Sequence, residues 1–143
     1  ENPLVGTGSD VNNNSLVGLL AFQGVEFLVT GDLDRAGQEF MLARQLVPQA
    51  QLFQFPHHGS LNAFVPPFIG AVNPELVVIP VGPNSFGQPA GAIIDAFAEG
   101  EIPLWRTDRD GAVTITLRKG RYRVSSYLNP WWRRNWLAGV ETS

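Results

Sequence analysis

The sequence predicts a single α/β domain in which strands alternate with helices. Three observations support this class. Apolar runs of strand length recur between segments with helical spacing. Hydrophobic residues make up 44% of the chain and charged residues only 16%, as expected for a well-buried core. The 143 residues are enough for one domain and contain no cysteine, which excludes disulfides and thiolate metal sites. We therefore treat 1–143 as one domain.

The elements of the first half follow from turn residues and periodicity. After the turn-rich segment 5–15, the apolar runs 16–22 and 25–30 are separated by Gln-Gly and predict a β-hairpin. Residues 35–46 have apolar side chains at helical spacing, with Asp34 as the predicted N-cap. Residues 50–55 predict a short strand that ends at Pro56.

The second half continues the alternation and then changes to a hairpin. We predict a short helix within 62–72, broken by Pro66 and Pro67, a buried strand at 75–81, a loop at 82–89 and a helix at 90–100. Three more strands are predicted at 102–107, 111–118 and 122–128, joined by DRDG and KGR turns. The predicted order is two strands, then α–β–α–β–α–β, then a terminal hairpin.

Charge and hydropathy limit the possible classes of protein. No apolar run approaches the ~18 residues that span a bilayer, and no signal peptide begins the chain, so we expect a soluble chain. Its start without Met leads us to expect a piece of a longer protein. Residues 1–100 carry 2 basic and 9 acidic side chains, whereas 101–143 carry 8 basic and 4 acidic.

The basic tail at 129–143 has three open interpretations. Its Trp131, Trp132, Arg133, Arg134 and Trp136 could stack DNA bases and neutralise phosphates, or could lie at a membrane interface. Alternatively, the tryptophans pack back onto the sheet and the charges form a solvated face.

Polar side chains follow successive predicted strands. Asp32 lies in a Thr-Gly-Asp turn after the second strand, and the only two histidines, His57 and His58, follow the third. Asn84 follows the fourth, and Asp108 and Asp110 follow the fifth. Such strand ends cluster at one edge of an α/β sheet, where a carboxylate and an imidazole could bind one divalent metal. The alternative is structural: Asp32 caps its loop or the following helix, Ser60 caps the helix that starts near Asn62, and the histidines are ordinary surface residues.

As a set, these motifs resemble the metallo-β-lactamase-fold domain at the C-terminal end of the ComEC/Rec2 family of DNA-uptake proteins. The resemblance depends on NNNSLVGLLAFQGVEFLVTGDLD, FPHHGS, VGPNSFGQP and WRTDRDGAVTI, across residues 10–117. It implies a four-layer αββα fold, of which this chain would hold only the C-terminal half and a terminal hairpin.

The resemblance also implies a function and a set of site residues. It implies a divalent-metal (Zn or Mn) phosphodiesterase that degrades the DNA strand that does not enter the cell. The parent would be a bacterial inner-membrane channel, with this domain on the extracytoplasmic side and single-stranded DNA as its partner. Asp32 matches the metal-bridging Asp, and His57 or His58 matches the histidine ligand. The implied substrate or phosphate contacts are Asn14, Ser15, Ser60, Asn84 and Ser85.

Two departures from the family pattern alter these expectations. The His-x-(His/Asp)-x-Asp-His cluster expected before Asp32 is absent, since residues 1–31 contain no His. Gln88 stands where the family loop Asn-x-x-Gly-His-Pro has its His, and an amide is a poorer Zn or Mn ligand than imidazole. We therefore expect the chain alone to be inactive and its metal site to be weakened or lost. We also expect the isolated chain either to self-associate through the apolar face that the missing half would cover or to be loosely packed.

Two further functions stay open. The first is a degenerate module of the same fold that binds DNA or a partner without catalysis, an alternative favoured by Gln88 and the basic tail. The second, weaker one is another hydrolase of the fold, such as a lactonase or a cyclic-nucleotide phosphodiesterase.

Overall fold

The computed structural model describes residues 3–128 and the short strand at 136–137. The strands are β1 (Gly18–Phe22), β2 (Val25–Val29), β3 (Leu52–Gln54), β4 (Leu76–Ile79), β5 (Leu104–Arg106), β6 (Val113–Arg118), β7 (Arg121–Ser126) and β8 (Trp136–Leu137). The helices are α1 (Asp10–Asn13), α2 (Arg35–Ala43), α3 (Pro66–Val72), α4 (Gly91–Glu99) and α5 (Thr107–Asp110), and 3₁₀ turns lie at His57–Gly59 and Leu61–Ala63.

The main sheet has five strands in the order β1-β2-β3-β4-β5. The first pair is an antiparallel hairpin, and the strands from β2 to β5 are parallel. Helices α2, α3 and α4 make the crossovers between these parallel strands. The α/β class and the predicted order of the elements are therefore confirmed.

One face of this sheet packs against the helices. Its core contains Phe53 and Phe55 from β3 and the segment that follows, with Phe68 of α3 and Phe97 of α4. Phe55 and Phe97 meet edge to face, with ring centroids 5.8 Å apart. All four side chains are buried, and such aromatic residues supply most of the apolar area that a small core buries.

The opposite face packs against the second sheet, whose three antiparallel strands run in the order β6-β7-β8. Here Leu52, Leu76 and Trp105 of the first sheet contact Tyr122 and Val124 of β7 in a second buried cluster. The described residues therefore form three layers: helices, the five-stranded sheet and the three-stranded sheet.

An apolar groove of about 450 Å³ lies between the two sheets at the β1 side. Its lining includes Leu20, Phe22, Phe27, Ile115 and Leu117. Leu20 and Phe22 are 58% and 57% exposed, which is unusual for large apolar side chains on a strand. β1 also forms the outer edge of its sheet. The groove leaves the space between the two sheets open at the β1 side.

Four local predictions need correction. Pro66 and Pro67 do not break a helix but occupy its first turn, where the missing N–H costs nothing. The one-turn helices α1 and α5 were not predicted, because four residues show no period. β8 was also missed, since its two residues pair with β7 only through the tertiary fold.

The remaining tail predictions concern Trp131, Trp132, Arg133 and Arg134, which lie outside the described residues, as do the side chains of the β8 residues. Within the described part of the chain, no helix has the length and hydropathy needed to cross a membrane.

Candidate functional site

The candidate site lies where the carboxyl ends of the parallel strands meet. Asp32 follows β2, the histidine pair follows β3, and Asn84 follows β4. The first two ends are tied together by two hydrogen bonds. The Thr30 hydroxyl donates to the Gln54 carbonyl at 2.9 Å, and the His57 amide donates to the Gly31 carbonyl at 3.0 Å. Parallel pairing thus brings the TGD and HHGS motifs into contact.

The HHGS segment has an unusual backbone. His57, His58 and Gly59 are three successive residues with positive φ, at 48°, 55° and 80°. Non-glycine residues rarely adopt this region, although His does so more often than most, and each instance costs about 1–3 kcal/mol. Because a strained backbone persists only where its surroundings enforce it, this segment depends on the loops around it.

Gly59 joins the histidine loop to the loop that follows β4. A Cβ built on Gly59 would lie 2.4 Å from Cβ of Pro89, which no real structure tolerates. The Gly59 carbonyl accepts a hydrogen bond of 2.9 Å from the Ala90 amide, at the start of α4. Only glycine therefore allows these two loops to approach so closely. The following Ser60 accepts a bond from the Asn62 amide, the local capping role expected for it.

His58 is fixed so that its outer nitrogen faces Asp32. Its Nδ1 lies 2.7 Å from the Pro80 carbonyl, which can only accept, so Nδ1 carries the proton. In the neutral imidazole the lone pair is then on Nε2, which lies 3.7 Å from Oδ1 of Asp32. Both side chains are about half exposed, at 51% and 45%. Two acceptors that face each other repel, so a proton on Nε2, a metal cation or a bridging water would each stabilise this pair.

His57 turns away from that pair and contacts Asp34. Its Nδ1 lies 2.8 Å from Oδ1 of Asp34, whose side chain is only 6% exposed. The rings of His57 and His58 are inclined at 68°, with centroids 6.3 Å apart. As expected from their adjacency, the two imidazoles point in different directions and have different carboxylate partners.

Asp34 is available to His57 because another residue caps α2. Asp34 occupies the N-cap position but makes no side-chain cap bond. Instead, Oδ1 of Asn13 accepts a 2.8 Å bond from the Gly37 amide in the first turn. Gly37 allows this approach, since a Cβ there would lie 2.9 Å from the Asn13 carbonyl oxygen. Asp34 is therefore the N-cap residue by position, as predicted, but the side-chain cap bond comes from Asn13 of α1.

The Asn-Asn-Ser segment supports the Asp32 turn. The Ser15 hydroxyl accepts a 3.3 Å bond from the Asp32 amide, and its Cβ lies 3.4 Å from the position of a Cβ on Gly31. Asn14 bonds in both directions with the backbone of Leu4, through Oδ1 at 2.9 Å and Nδ2 at 2.8 Å. Ser15 thus lies beside the candidate site, whereas the Asn14 amide holds the N-terminal loop.

Asn84 organises its own loop. Its Oδ1 accepts from the amides of Phe86 and Gln88 at 3.0 and 3.1 Å, and its Nδ2 donates to the Gly82 and Gln88 carbonyls. With both ends of the amide used, Asn84 acts as the centre of the turn. Ser85 is exposed, and Gln88 is half-buried beside the buried Pro89.

The two aspartates after β5 have structural partners. Asp108 forms an ion pair with Arg106 at 2.6 Å, and this hydrogen-bonded guanidinium lowers the pKa of the Asp108 carboxyl. Asp110 is buried, accepts from the Arg106 amide at 3.0 Å and pairs with Arg109, whose pKa it raises. Their carboxylates stabilise α5 and its junction with β5.

The donor set can be compared with the needs of a metal. Two ligands at about 2.0–2.2 Å on a tetrahedral ion lie roughly 3.3 Å apart, close to the Asp32–His58 separation. Zinc sites in proteins use three or four protein ligands. No group of three or more His, Asp or Glu side chains able to hold a metal occurs within residues 3–128. The described residues thus supply two adjacent donors and do not by themselves make a metal centre.

Sequence reasoning missed Asp34 and Asn13 as partners of the site. The sequence predicts that Asp34 caps a helix, because the residue just before a helical pattern is the usual N-cap. No local signal in the sequence identifies Asn13 as the cap of α2, because it lies 24 residues before the Gly37 amide that it accepts from. Its role, and the one it leaves to Asp34, therefore depend on the tertiary fold.

Comparison with curated proteins connects this chain to competence. It is 34% identical over 113 residues to "Competence protein ComA" of Neisseria gonorrhoeae and 27% identical over 103 residues to "ComE operon protein 3" of Bacillus subtilis. It is also 29% identical over 141 residues to "Uncharacterized protein YcaI" of Escherichia coli. These matches cover 78%, 71% and 94% of the chain.

The relatives are much longer than this chain. It spans 16%, 13% and 19% of their respective lengths. No protein-family model matches the sequence. The two named relatives therefore support a relationship to competence and DNA-uptake proteins, at modest identity and over a small part of each relative.

Proposed function

We propose that this chain is part of an extracytoplasmic nuclease domain of a bacterial DNA-uptake protein, a metal-dependent phosphodiesterase acting on single-stranded DNA. The observation that carries the proposal is the Asp32–His58 pair, with its two acceptors 3.7 Å apart at the edge of the parallel sheet. The similarity to Competence protein ComA supports the biological setting. The strand degraded would be the one that does not enter the cell.

The proposal divides the site between this chain and the rest of its parent. Asp32 and one histidine would hold Zn or Mn from this side, and the remaining ligands would come from the other half of a four-layer metallo-β-lactamase-like fold. A bound metal would neutralise charge on the phosphate oxygens of DNA. Ser15 and Ser60 would present hydroxyls near the phosphate, and Ser85 would do so from the third loop. Asn14 and Asn84 would act through the loops that they hold.

The apolar groove also supports a fold that is shared between this chain and another part of its parent. It leaves Leu20 and Phe22 more than half exposed, next to the free edge of β1. We propose that the other half of the fold covers this surface in the parent. The membrane channel domain of the parent would lie in the bacterial inner membrane. Without that cover, copies of the isolated chain would associate through the groove.

A nuclease assay tests the proposal. The isolated chain, mixed with labelled single-stranded DNA and Mn²⁺ or Zn²⁺, is expected to produce no cutting. The parent protein is expected to cut, and Asp32→Asn in the parent should reduce the rate by 10²-fold or more, about the effect of losing one main catalytic group. The matched control is Asp95→Asn, an exposed carboxylate on α4, which should cut like the wild type.

Two outcomes would count against the proposal. Cutting by the isolated chain that Asp32→Ala abolishes would show that no second half is needed. If the parent with Asp32→Asn cuts DNA as fast as the wild-type parent, the Asp32–His58 site has no part in the mechanism.

A second candidate is a degenerate module that binds DNA or a partner without catalysis. Gln88, at the position where the resembling family has His, favours it. In that case the parent binds single-stranded DNA without added metal, with an affinity that falls steeply with salt. Isothermal titration separates the two functions, since metal binding that is lost in His58→Ala supports only the enzyme.

A further inference from the structure

We propose that Asp34 is a positioning residue that holds His57 as its Nδ1–H tautomer and so leaves the lone pair on Nε2. The inference rests on and deepens the proposed function, because His57 is one of the two candidate histidine ligands and a ligand histidine would bind through its unprotonated nitrogen. It concerns a residue outside the metal and substrate contacts named above. It depends on geometry that is independent of any metal or DNA.

The first step is the hydrogen bond itself. A carboxylate can only accept, so the 2.8 Å contact between Asp34 Oδ1 and His57 Nδ1 places the proton on Nδ1. Asp34 is buried, and hydrogen bonds to a charged group are among the stronger ones in proteins. In the neutral imidazole the lone pair is then on Nε2.

The second step is the cost of placing Asp34 there. An aspartate before a helix normally satisfies the first-turn amides, worth about 1 kcal/mol. Here that bond comes from Asn13, and the close approach requires Gly37. The buried carboxylate is left with His57 and with Asn12, whose Nδ2 lies 3.4 Å from Oδ2. If Asp34 served only as the cap of α2, the helix would not need Asn13 as a second cap or Gly37 to let it approach.

The third step is the match with His58. Its Nδ1 also donates, to the Pro80 carbonyl, and also leaves Nε2 as the acceptor. Histidines that act as ligands or bases are commonly fixed in this way, by an acceptor on the other ring nitrogen. Both histidines of HHGS are thus held as the Nδ1–H tautomer. Asp34 holds His57, and the Pro80 carbonyl holds His58.

The test is nitrogen NMR of ¹⁵N-histidine-labelled protein, at a pH where both imidazoles are neutral, without metal or DNA. The wild-type chain is expected to show His57 with Nδ1–H in about tenfold or greater excess over Nε2–H. In Asp34→Asn, the NH₂ group of Asn12 favours the orientation in which the carbonyl oxygen of the new amide faces Asn12. The NH₂ group of the new amide then faces Nδ1 of His57. Because Nδ1 must now accept a hydrogen bond, the proton moves to Nε2.

Three controls make the result specific. His58 should keep Nδ1–H in every Asp34 variant, because its acceptor is a backbone carbonyl. Asn14→Ala, which removes the bonds to Leu4 and keeps the Asn13 cap, should leave the His57 tautomer unchanged. Asp34→Ala provides a second variant, in which the Nδ1–H excess should be lost because no acceptor remains.

The outcomes are decisive in both directions. A wild-type His57 with Nε2–H in excess would overturn the proposal without any variant. An unchanged Nδ1–H excess in both Asp34 variants would also overturn it. Because neither readout involves catalysis, an inactive parent would defeat the nuclease proposal and leave this result standing.

Discussion

Gly59 shows how a single residue can hold two loops of the site together. It follows two histidines with positive φ, and its missing side chain is the space in which Pro89 lies. The contact links the end of β3 to the loop after β4. The candidate site therefore depends on a residue that carries no chemistry of its own.

Gly59→Ala is expected to destabilise the domain by about 2–4 kcal/mol. The new methyl combines a steric overlap with Pro89 and a left-handed backbone unsuited to alanine. Urea unfolding followed by circular dichroism measures the change. The matched control is Gly70→Ala in α3, where a Cβ meets nothing within 4 Å, and where alanine should be neutral or stabilise by up to about 1 kcal/mol. Equal stability of the two variants would contradict this account.

Tyr122 links the two sheets and should make the domain sensitive to alkaline pH. Burial, with the nearby Glu75 carboxylate, raises the pKa of its phenol well above the ordinary value of 10.0. The unfolded chain releases this proton near pH 10 and the folded chain does not. Stability from this group is therefore complete below pH 10 and falls as pH rises above it.

Tyr122→Phe is the corresponding experiment. The variant loses the 3.1 Å hydrogen bond to Glu75 and should be less stable at pH 7 by about 1 kcal/mol. Its stability should then decline less between pH 9 and pH 11 than that of the wild type. Tyr127→Phe, at an exposed position, is the control and should follow the wild-type curve. Parallel pH curves for Tyr122→Phe and wild type would contradict the assignment.

At the scale of elements, α2 depends on a one-turn helix far from it in sequence. α1 delivers Asn13 to the first turn of α2, and Asn13 is 5% exposed. Its Nδ2 also donates to Thr7 Oγ1 and the Ser9 carbonyl, both at 3.0 Å. The short helix thus serves as a cap and connects the N-terminal loop to the candidate site.

Asn13→Ala is expected to lower the free energy of unfolding by about 1–3 kcal/mol, because it removes a cap and leaves a buried amide unsatisfied. Amide hydrogen exchange should show the loss most strongly in the first turn of α2. Asn14→Ala is the matched control at an exposed neighbouring position and should affect mainly the loop near Leu4. Unchanged exchange at Gly37 in Asn13→Ala would contradict the role of α1.

At the scale of the whole molecule, the two sheets close on one side and stay open on the other. Tyr122 fills the closed side, and near the open side the Gln23 side chain accepts a 2.7 Å bond from the Lys119 amide. The groove beside β1 is apolar and lies at an unpaired sheet edge. Such an edge is a template for association with another chain.

The isolated chain is therefore expected to self-associate, and Leu20→Glu with Phe22→Lys should make it monomeric. Charges in the groove oppose burial and protect the edge. Sedimentation velocity over a range of concentrations measures the association. Leu46→Glu, an exposed apolar residue elsewhere, is the control and should associate like the wild type. A compact wild-type monomer at all concentrations would contradict both the self-association and the incomplete-fold proposal.

Local patterns in the sequence are enough to predict the α/β class, the order of the main elements and the strand ends at which polar residues collect. These follow from local patterns: apolar runs for β2 to β4, helical spacing in α2 and α4, and turns at glycine and proline. Parallel pairing then requires that Asp32 and the histidines share an edge, so their proximity was also predictable.

The roles of those residues depend instead on contacts between distant parts of the chain. Asp34 is a partner of His57 because Asn13, 21 positions earlier, takes its place as the cap. His58 faces Asp32 because the carbonyl of Pro80, at the end of another strand, accepts a hydrogen bond from its Nδ1. These outcomes depend on competition between groups distant in sequence, in which the better-placed hydrogen-bond partner determines the role of the other. Local propensity contains no information about that competition.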